Sequence, residues 1–168
     1  GSGSFLVRAF KEVCDKIDNN CNGQIDENNP CPSGQTCSNG ICLKPFEENK
    51  RYIFATSQVF GANLGGLSGA DQKCQAAAAT GGLPGTYKAY LESRDFTAYY
   101  RVSHSIVPYY SPNGIKIAEN WDGLISQSTN LLSPIKYDEY GREITSDLYT
   151  WIGYTAVVND CDNWRSNG

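Results

Sequence analysis

Seven cysteines in 168 residues, five of them between Cys14 and Cys42, limit this fold more than any other feature. Cys14 and Cys21 are separated by six residues, Cys31 and Cys37 by five, and Cys37 and Cys42 by four. No Cys-x-x-Cys pair occurs, and the single histidine, His104, is far away in sequence. Zinc sites want closely paired Cys or Cys/His ligands, so disulfides are the better reading. They imply an oxidising compartment and hence an extracellular or cell-surface location. Cys14, Cys21, Cys31, Cys37, Cys42, Cys74 and Cys161 are all disulfide candidates; seven is odd, so at least one lacks an intrachain partner. Residues 14–44 are full of Asn, Asp, Gly and Pro. A segment of that length cannot build a core, and cross-links and metal must replace it.

The same segment carries a loop with calcium spacing. Counting from Asp18, side-chain oxygens fall at positions 1, 3, 5 and 9 (Asp18, Asn20, Asn22, Asp26), with Gly23 at position 6. Alternate residues turn their oxygens inward, Gly permits the sharp bend, and the carbonyl of Gln24 at position 7 adds a ligand. Ile25 at position 8 is expected to anchor the loop. Asn29 stands at position 12, where an EF-hand has a bidentate Glu, so Asp15 or Glu27 is the candidate for the missing oxygen. With Asn at positions 3 and 5 the loop predicts a structural Ca2+ of modest affinity, suited to the extracellular space. Magnesium, which demands a tight, water-rich octahedron, fits poorly. The alternative is an Asx-rich turn stapled by disulfides, without an ion.

Four segments follow in order: 1–13, an N-terminal linker; 14–44, the Cys-rich calcium-loop module; 45–49, a linker; and 50–168, a larger α+β domain. Gly1 to Ser4 reads as a linker or cloning scar, with a native Gly/Ser tether as the alternative. Phe5 to Phe10 either packs on the knot or completes another subunit's sheet, packing being the plainer reading. Between Cys14 and Asn49 there are six acids and two bases, so the acidity gathers beside the cysteines. Tyr52–Phe60 is strand-like, Gly61–Gly66 a turn, and Ser68 with Asp71 a capping-box variant opening a helix over 69–80 that stops at Gly81-Gly82. Ala70, Cys74, Ala77 and Ala78 give that helix one small-residue apolar face. Thr86–Leu91 alternates as a second strand, and Phe96–Val102 forms a short helix. Ile106–Tyr110 and Ile115–Ala118 are extended pieces around a Pro112-Asn113-Gly114 turn. Leu148–Thr155 is the clearest late strand.

Two resemblances overlay this reading. The run Cys14-Asp15-Lys16-Ile17-Asp18-Asn19-Asn20-Cys21-Asn22-Gly23-Gln24-Ile25-Asp26-Glu27 resembles the MopE-like metal-binding motif. That family was named for copper, which wants imidazole, thioether or thiolate; with no His and no Met here, the loop geometry carries over and copper does not. Residues 50–168 resemble the DUF1554 family of bacterial surface proteins, grouped with C-type-lectin folds. That likeness rests on Phe54-Ala55-Thr56-Ser57, the stretch Gly61 to Cys74, Gly85 to Leu91, Thr150-Trp151-Ile152-Gly153 and Cys161-Asp162-Asn163-Trp164. It implies a C-type-lectin-like domain: a twisted antiparallel sheet, a helix bearing a Cys, and long loops. It further implies that Cys74 and Cys161 each bond a partner near the C-terminal end. Those partners are missing, so the domain lacks its end, or these Cys are free, or they pair otherwise.

Net charge is −4 with no Lys/Arg cluster, so nucleic acid is not an expected partner. No run approaches the roughly 20 apolar residues of a membrane span. Glu-Pro-Asn and Gln-Pro-Asp are both absent, which leaves calcium-dependent sugar binding unsupported. Asp160, Asp162 and Asn163 read as a solvated turn, with an ion site as the alternative, and Asp138 and Glu139 read as a solvated turn too. His104 reads as a surface residue, and no nucleophile or metallohydrolase motif occurs. Tyr99, Tyr100, Tyr109, Tyr110, Trp121 and Tyr140 are candidates for a contact surface, some of them for the core. The expected function is a non-enzymatic extracellular binding or adhesion module for a protein or glycan. The alternative is a structural subunit of an extracellular filament or surface layer, its partners copies of itself or other subunits. A hydrolase is the remote third.

Overall fold

A computed structural model describes residues 10–93, 95–126, 131–145 and 164–166. The chain divides into two compact units, Gly1–Pro45 and Phe46–Gly168. The expected late strand at 148–155, Cys161, the 160–163 turn and residues 5–9 lie outside the described residues.

Among the described residues the first unit has one regular element, a hairpin of β1 (Thr36–Ser38) and β2 (Ile41–Leu43). Asn39 and Gly40 connect the strands with φ of 55° and 80°. Both central residues of a type I′ turn need positive φ, and Asn-Gly is its preferred sequence. The register sets Cys37 opposite Cys42. Each reaches out to an upstream cysteine, giving disulfides Cys14–Cys37 and Cys31–Cys42. Glu12 is the one buried residue among those described in this unit. Val13, Ile17 and Ile25 are all more than half exposed. Among the described residues, cross-links and polar contacts therefore hold this unit together in place of an apolar core.

The second unit is α+β with short elements. β3 (Arg51–Tyr52), β4 (Tyr109–Tyr110) and β5 (Lys116–Ala118) form a sheet in the order β3-β4-β5. β3 pairs with β4 in parallel, and β4 with β5 antiparallel. The described sheet is thus mixed, not purely antiparallel as expected. β3 is also shorter than the predicted strand. Beyond Tyr52 the chain stays bonded, but to successive partners, Ile53 N–H donating to Tyr110 O and Ala55 N–H to Tyr137 O.

Helix α1 (Gly66–Thr80) is the longest element among the described residues. It starts two residues before the predicted Ser68 cap, from Gly65, whose φ of 80° only glycine adopts cheaply. The capping box does not form, because the Asp71 carboxylate is taken by Arg101 at 2.8 and 2.9 Å. Gly69 packs against the preceding turn so closely that a Cβ would stand 2.1 Å from Leu64 O. The stop at Gly81-Gly82 is as expected. Gly81 N–H reaches Ala77 O, Leu83 N–H reaches Ala78 O, and Gly82 has a φ of 65°. Ala70 and Ala78 are buried, while Cys74 is half-buried.

Thr86–Leu91 is extended in sequence character yet pairs with no strand among the described residues. Side chains capture its backbone instead: Gln75 Oε1 accepts from Tyr87 N–H, Asp71 Oδ1 from Ala89 N–H, and Arg101 Nη1 donates to Ala89 O and Leu91 O. The predicted helix at 96–102 shrinks to α2 (Ala98–Arg101), and α3 (Trp121–Ile125), capped by Asn120 Oδ1 on Gly123 N–H, was not anticipated. One core cluster gathers Leu64, Ala70, Ala89, Leu91 and Trp164. A second holds Tyr109, Ile117, Ala118 and Trp121. Asp138 and Glu139 do lie in a turn but are not solvated, with exposures of 4% and 3%. Asp138 accepts from Tyr140 N–H, Arg142 N–H and Arg142 Nε, and Glu139 accepts from Ser57 N–H. Bonded on so many sides, both carboxylates can stay out of water.

Candidate metal centre and aromatic groove

In the first unit the loop from Asp18 closes on itself. Gly23, with a φ of 89°, makes the bend at position 6, and its N–H donates to Asp18 Oδ2 at 2.7 Å. Asn22 N–H donates to Asp18 Oδ1 and to Asn20 Oδ1, and Gln24 N–H to Asn22 Oδ1. These are Asx turns in succession. Asp26 accepts from the N–H groups of Asp15 and Lys16, and Asp15 from Ile17 N–H and Asn19 Nδ2. The acids at positions 1 and 9 are thus held in place by backbone amides. Ile25 is 62% exposed and does not anchor the loop as expected; the hydrogen bonds and the disulfides perform that role.

Glu27 is the hub of the loop's side chains. Its Oε1 accepts from Asn20 Nδ2 and Asn22 Nδ2, each at 2.6 Å. The Asn20 hydrogen bond, chiefly, holds its carboxyl below the ordinary value. Glu12, outside the predicted site, accepts from Asn20 N–H at 2.8 Å through Oε1. The second oxygens of both glutamates, Glu12 Oε2 and Glu27 Oε2, are buried with no hydrogen-bond partner. Both residues line a pocket of about 360 Å³ with Asn20, Asn28 and Asn29. Sequence spacing missed Glu12 because it precedes the loop by six residues; its buried side chain is what reveals it.

The Sγ atoms of Cys14, Cys31 and Cys37 lie within 4.8 Å of one another. Oxidised, they belong to the two disulfides; reduced, the same three thiolates form a cluster able to hold a metal. Cys21, expected as a disulfide partner, is instead an exposed free thiol. It occupies loop position 4, between the inward-turned oxygens, with a φ of 58°. Cys74 is also free, and burial pushes its thiol up to about 11. The thiolate is the reactive form. Iodoacetamide at pH 8 is therefore expected to label Cys21 within minutes and Cys74 only after denaturation, as mapped by peptide mass. Equal labelling of the two in the native state would contradict this burial.

In the second unit, a groove of about 580 Å³ is lined by Tyr52, Tyr87, Tyr90, His104, Tyr109 and Trp121, with Lys50 and Lys88 among its charged residues. His104 lies flat on Trp121, centroids 4.3 Å apart, and its Nε2 is 2.8 Å from Tyr99 O. Tyr90 and Tyr99 meet Trp121 edge-on. Trp121 Nε1 is buried without a hydrogen-bond partner. Burial raises the phenols of Tyr87, Tyr90 and Tyr109, so they remain neutral hydrogen-bonding groups. Of the six aromatics proposed as a contact surface, Tyr99, Tyr100 and Tyr140 are exposed, Tyr110 is half-buried, and Tyr109 and Trp121 belong to the core. No described helix is long and apolar enough to cross a membrane.

The family model for the MopE copper-binding type, described as a "putative metal-binding motif", matches residues 9–27. No curated protein matches the chain. The match begins upstream of Cys14 and so takes in Glu12 as well as the loop. The donors in 10–27 are carboxylate and amide oxygens with one exposed thiol, and neither His nor Met is present. Such a set fits a hard cation and does not fit copper.

Proposed function

We propose that this chain is a non-enzymatic extracellular binding module, in which a calcium-stabilised disulfide knot precedes a C-type-lectin-like domain that presents its loops to a protein or glycan. The observation that carries the reading is the coincidence of a hard-donor metal motif with two disulfides in a unit whose described residues bury no apolar side chain. Disulfides favour the oxidising extracellular space, and calcium is the abundant hard cation there. The lectin-like reading draws on the DUF1554-like sequence blocks, and on the short strand β3 followed by a helix bearing Cys74. The aromatic groove supports ligand binding. Its walls are Tyr, His and Trp, side chains that combine large contact area with hydrogen bonding at low entropic cost. His104 is stacked on Trp121 with Nε2 against a carbonyl, a setting for contact and not for general-base work.

A thermal melt of non-reduced protein, with calcium and with chelator, tests the first half. A ligand at a hundredfold excess over its Kd contributes about 2.7 kcal/mol, so the first unit's transition should move up by several degrees. Intact mass should show two disulfides. A melt indifferent to calcium would leave the loop an Asx knot and remove the calcium reading.

A further inference from the structure

We propose that Glu12 is a ligand of the cation and that the ion sits between Glu12 and Glu27, on the Asn20 side of the knot, not at the centre of the loop that starts at Asp18. The proposal rests on the calcium reading in that it needs a cation in this unit, and it moves that cation from the loop centre to Glu27 together with Glu12, a residue which loop spacing does not select.

Most oxygens of the loop are already committed to hydrogen bonds. Both oxygens of Asp18 accept backbone N–H groups, from Asn22 and Gly23. Both oxygens of Asp26 accept as well, from Asp15 and Lys16. The Asn20 and Asn22 amide oxygens take the N–H groups of Asn22 and Gln24. The uncommitted acid oxygens in the buried part of the knot are Glu12 Oε2 and Glu27 Oε2. Glu12 is 8% exposed, an unusual state for a carboxylate, and its free oxygen has no donor. Taking an ionised carboxylate from water without a partner is too costly to persist unless a charge compensates it. Among the described residues no Lys or Arg pairs with Glu12 or Glu27.

The geometry offers that compensation. Asn20 ties the two carboxylates together, its N–H on Glu12 Oε1 and its Nδ2 on Glu27 Oε1. Each glutamate is thereby fixed through one oxygen while the other is left over, and both residues line the same 360 Å³ pocket. A hard divalent cation there would take one oxygen from each glutamate. The rest of its shell would be neighbouring carbonyls and water admitted by the pocket, the kind of mixed shell that calcium accepts. The ion would tie Glu12, ahead of the first disulfide, to Glu27 at the loop's end.

Titration calorimetry of Ca2+ and Mg2+ into the oxidised full chain tests this, comparing wild type with Glu12→Gln, Glu27→Gln and Asp18→Asn. The glutamine variants keep the oxygen that accepts from Asn20 and lose the charge. Expected are a calcium affinity weakened at least roughly tenfold in Glu12→Gln and Glu27→Gln, and a smaller loss in Asp18→Asn. Intact mass and unchanged amide protection in β1 and β2 certify the fold; if Glu12→Gln fails that check, Glu27→Gln carries the comparison. Wild-type affinity in Glu12→Gln with binding crippled in Asp18→Asn places the ion at the loop centre, which overturns the inference and leaves the calcium reading standing. A wild type that binds neither ion overturns both. Magnesium bound as tightly as calcium, with the same dependence on Glu12, supports the seat and overturns calcium as its occupant.

Discussion

Replacing Cys14 and Cys37 together with serine in the full chain is expected to unfold the first unit while the second keeps its melting transition. A bond spanning 23 residues restricts the unfolded chain by about 3 kcal/mol on loop-entropy grounds, and the 11-residue Cys31–Cys42 link by slightly less. In a domain with an apolar core such a loss would be partly absorbed. Here no described hydrophobic side chain of residues 10–45 is buried, so the loss meets nothing comparable. The Asx turns are each worth about 1 kcal/mol net and form between exposed groups that water also satisfies. Hydrogen exchange read by peptide mass should show residues 14–44 unprotected in the variant and 60–91 unchanged. Protection persisting in β1 and β2 would mean that the polar network, or the cation, suffices without that bond. Because the two bonds share the hairpin, their losses should not add.

What the sequence conveyed and what it hid divide along physical lines. The disulfide-rich character, the sharp turn at Gly23 and the helix ending at Gly81-Gly82 were legible because each is local: one residue type at one spacing dictates one conformation. Disulfide partners were not legible, since pairing depends on where the Asn39-Gly40 turn places Cys37 against Cys42 and which upstream cysteines come near. Cys21 illustrates the point, being central to the motif yet left as a thiol. The Ser68–Asp71 cap failed for a tertiary reason, because Arg101, thirty residues on, offers Asp71 a stronger contact than a helix end does. The strand at 86–91 failed for the same reason. Among the described residues its backbone partners are Gln75, Asp71 and Arg101 side chains, which no period-two pattern can announce. Glu12 was hidden differently. A glutamate ahead of a cysteine looks solvated until burial shows otherwise, and the same holds for Asp138 and Glu139.

Arg101→Ala is expected to lower the stability of the second unit by about 3 kcal/mol, the low end for breaking a buried pair because Asp71 keeps some solvent. For a domain of this size that corresponds to a fall in Tm of about 10 °C. The Arg101 side chain is 11% exposed and that of Asp71 26%. One guanidinium makes two bonds to the carboxylate and two more to Ala89 O and Leu91 O. Its removal leaves Asp71 bonded to Ala89 N–H alone among the contacts described above and deprives two carbonyls of donors. Arg101→Lys should recover less than half of the loss, because an ammonium cannot span four acceptors with a planar fork. The exposed Lys116–Glu119 pair is the contrast: Lys116→Ala should change stability by less than about 0.5 kcal/mol. The consequence reaches the aromatic groove, since Arg101 aligns the stretch whose Thr86, Tyr87, Lys88 and Tyr90 line one of its walls. In a double-mutant cycle with Asp71→Ala, the two losses should fall well short of adding, by 1 kcal/mol or more on the scale of coupled neighbours. A loss below about 1 kcal/mol for Arg101→Ala, or full additivity with Asp71→Ala, would show that the 86–91 stretch is held by its packing on Leu64 and Trp164 and not by the guanidinium.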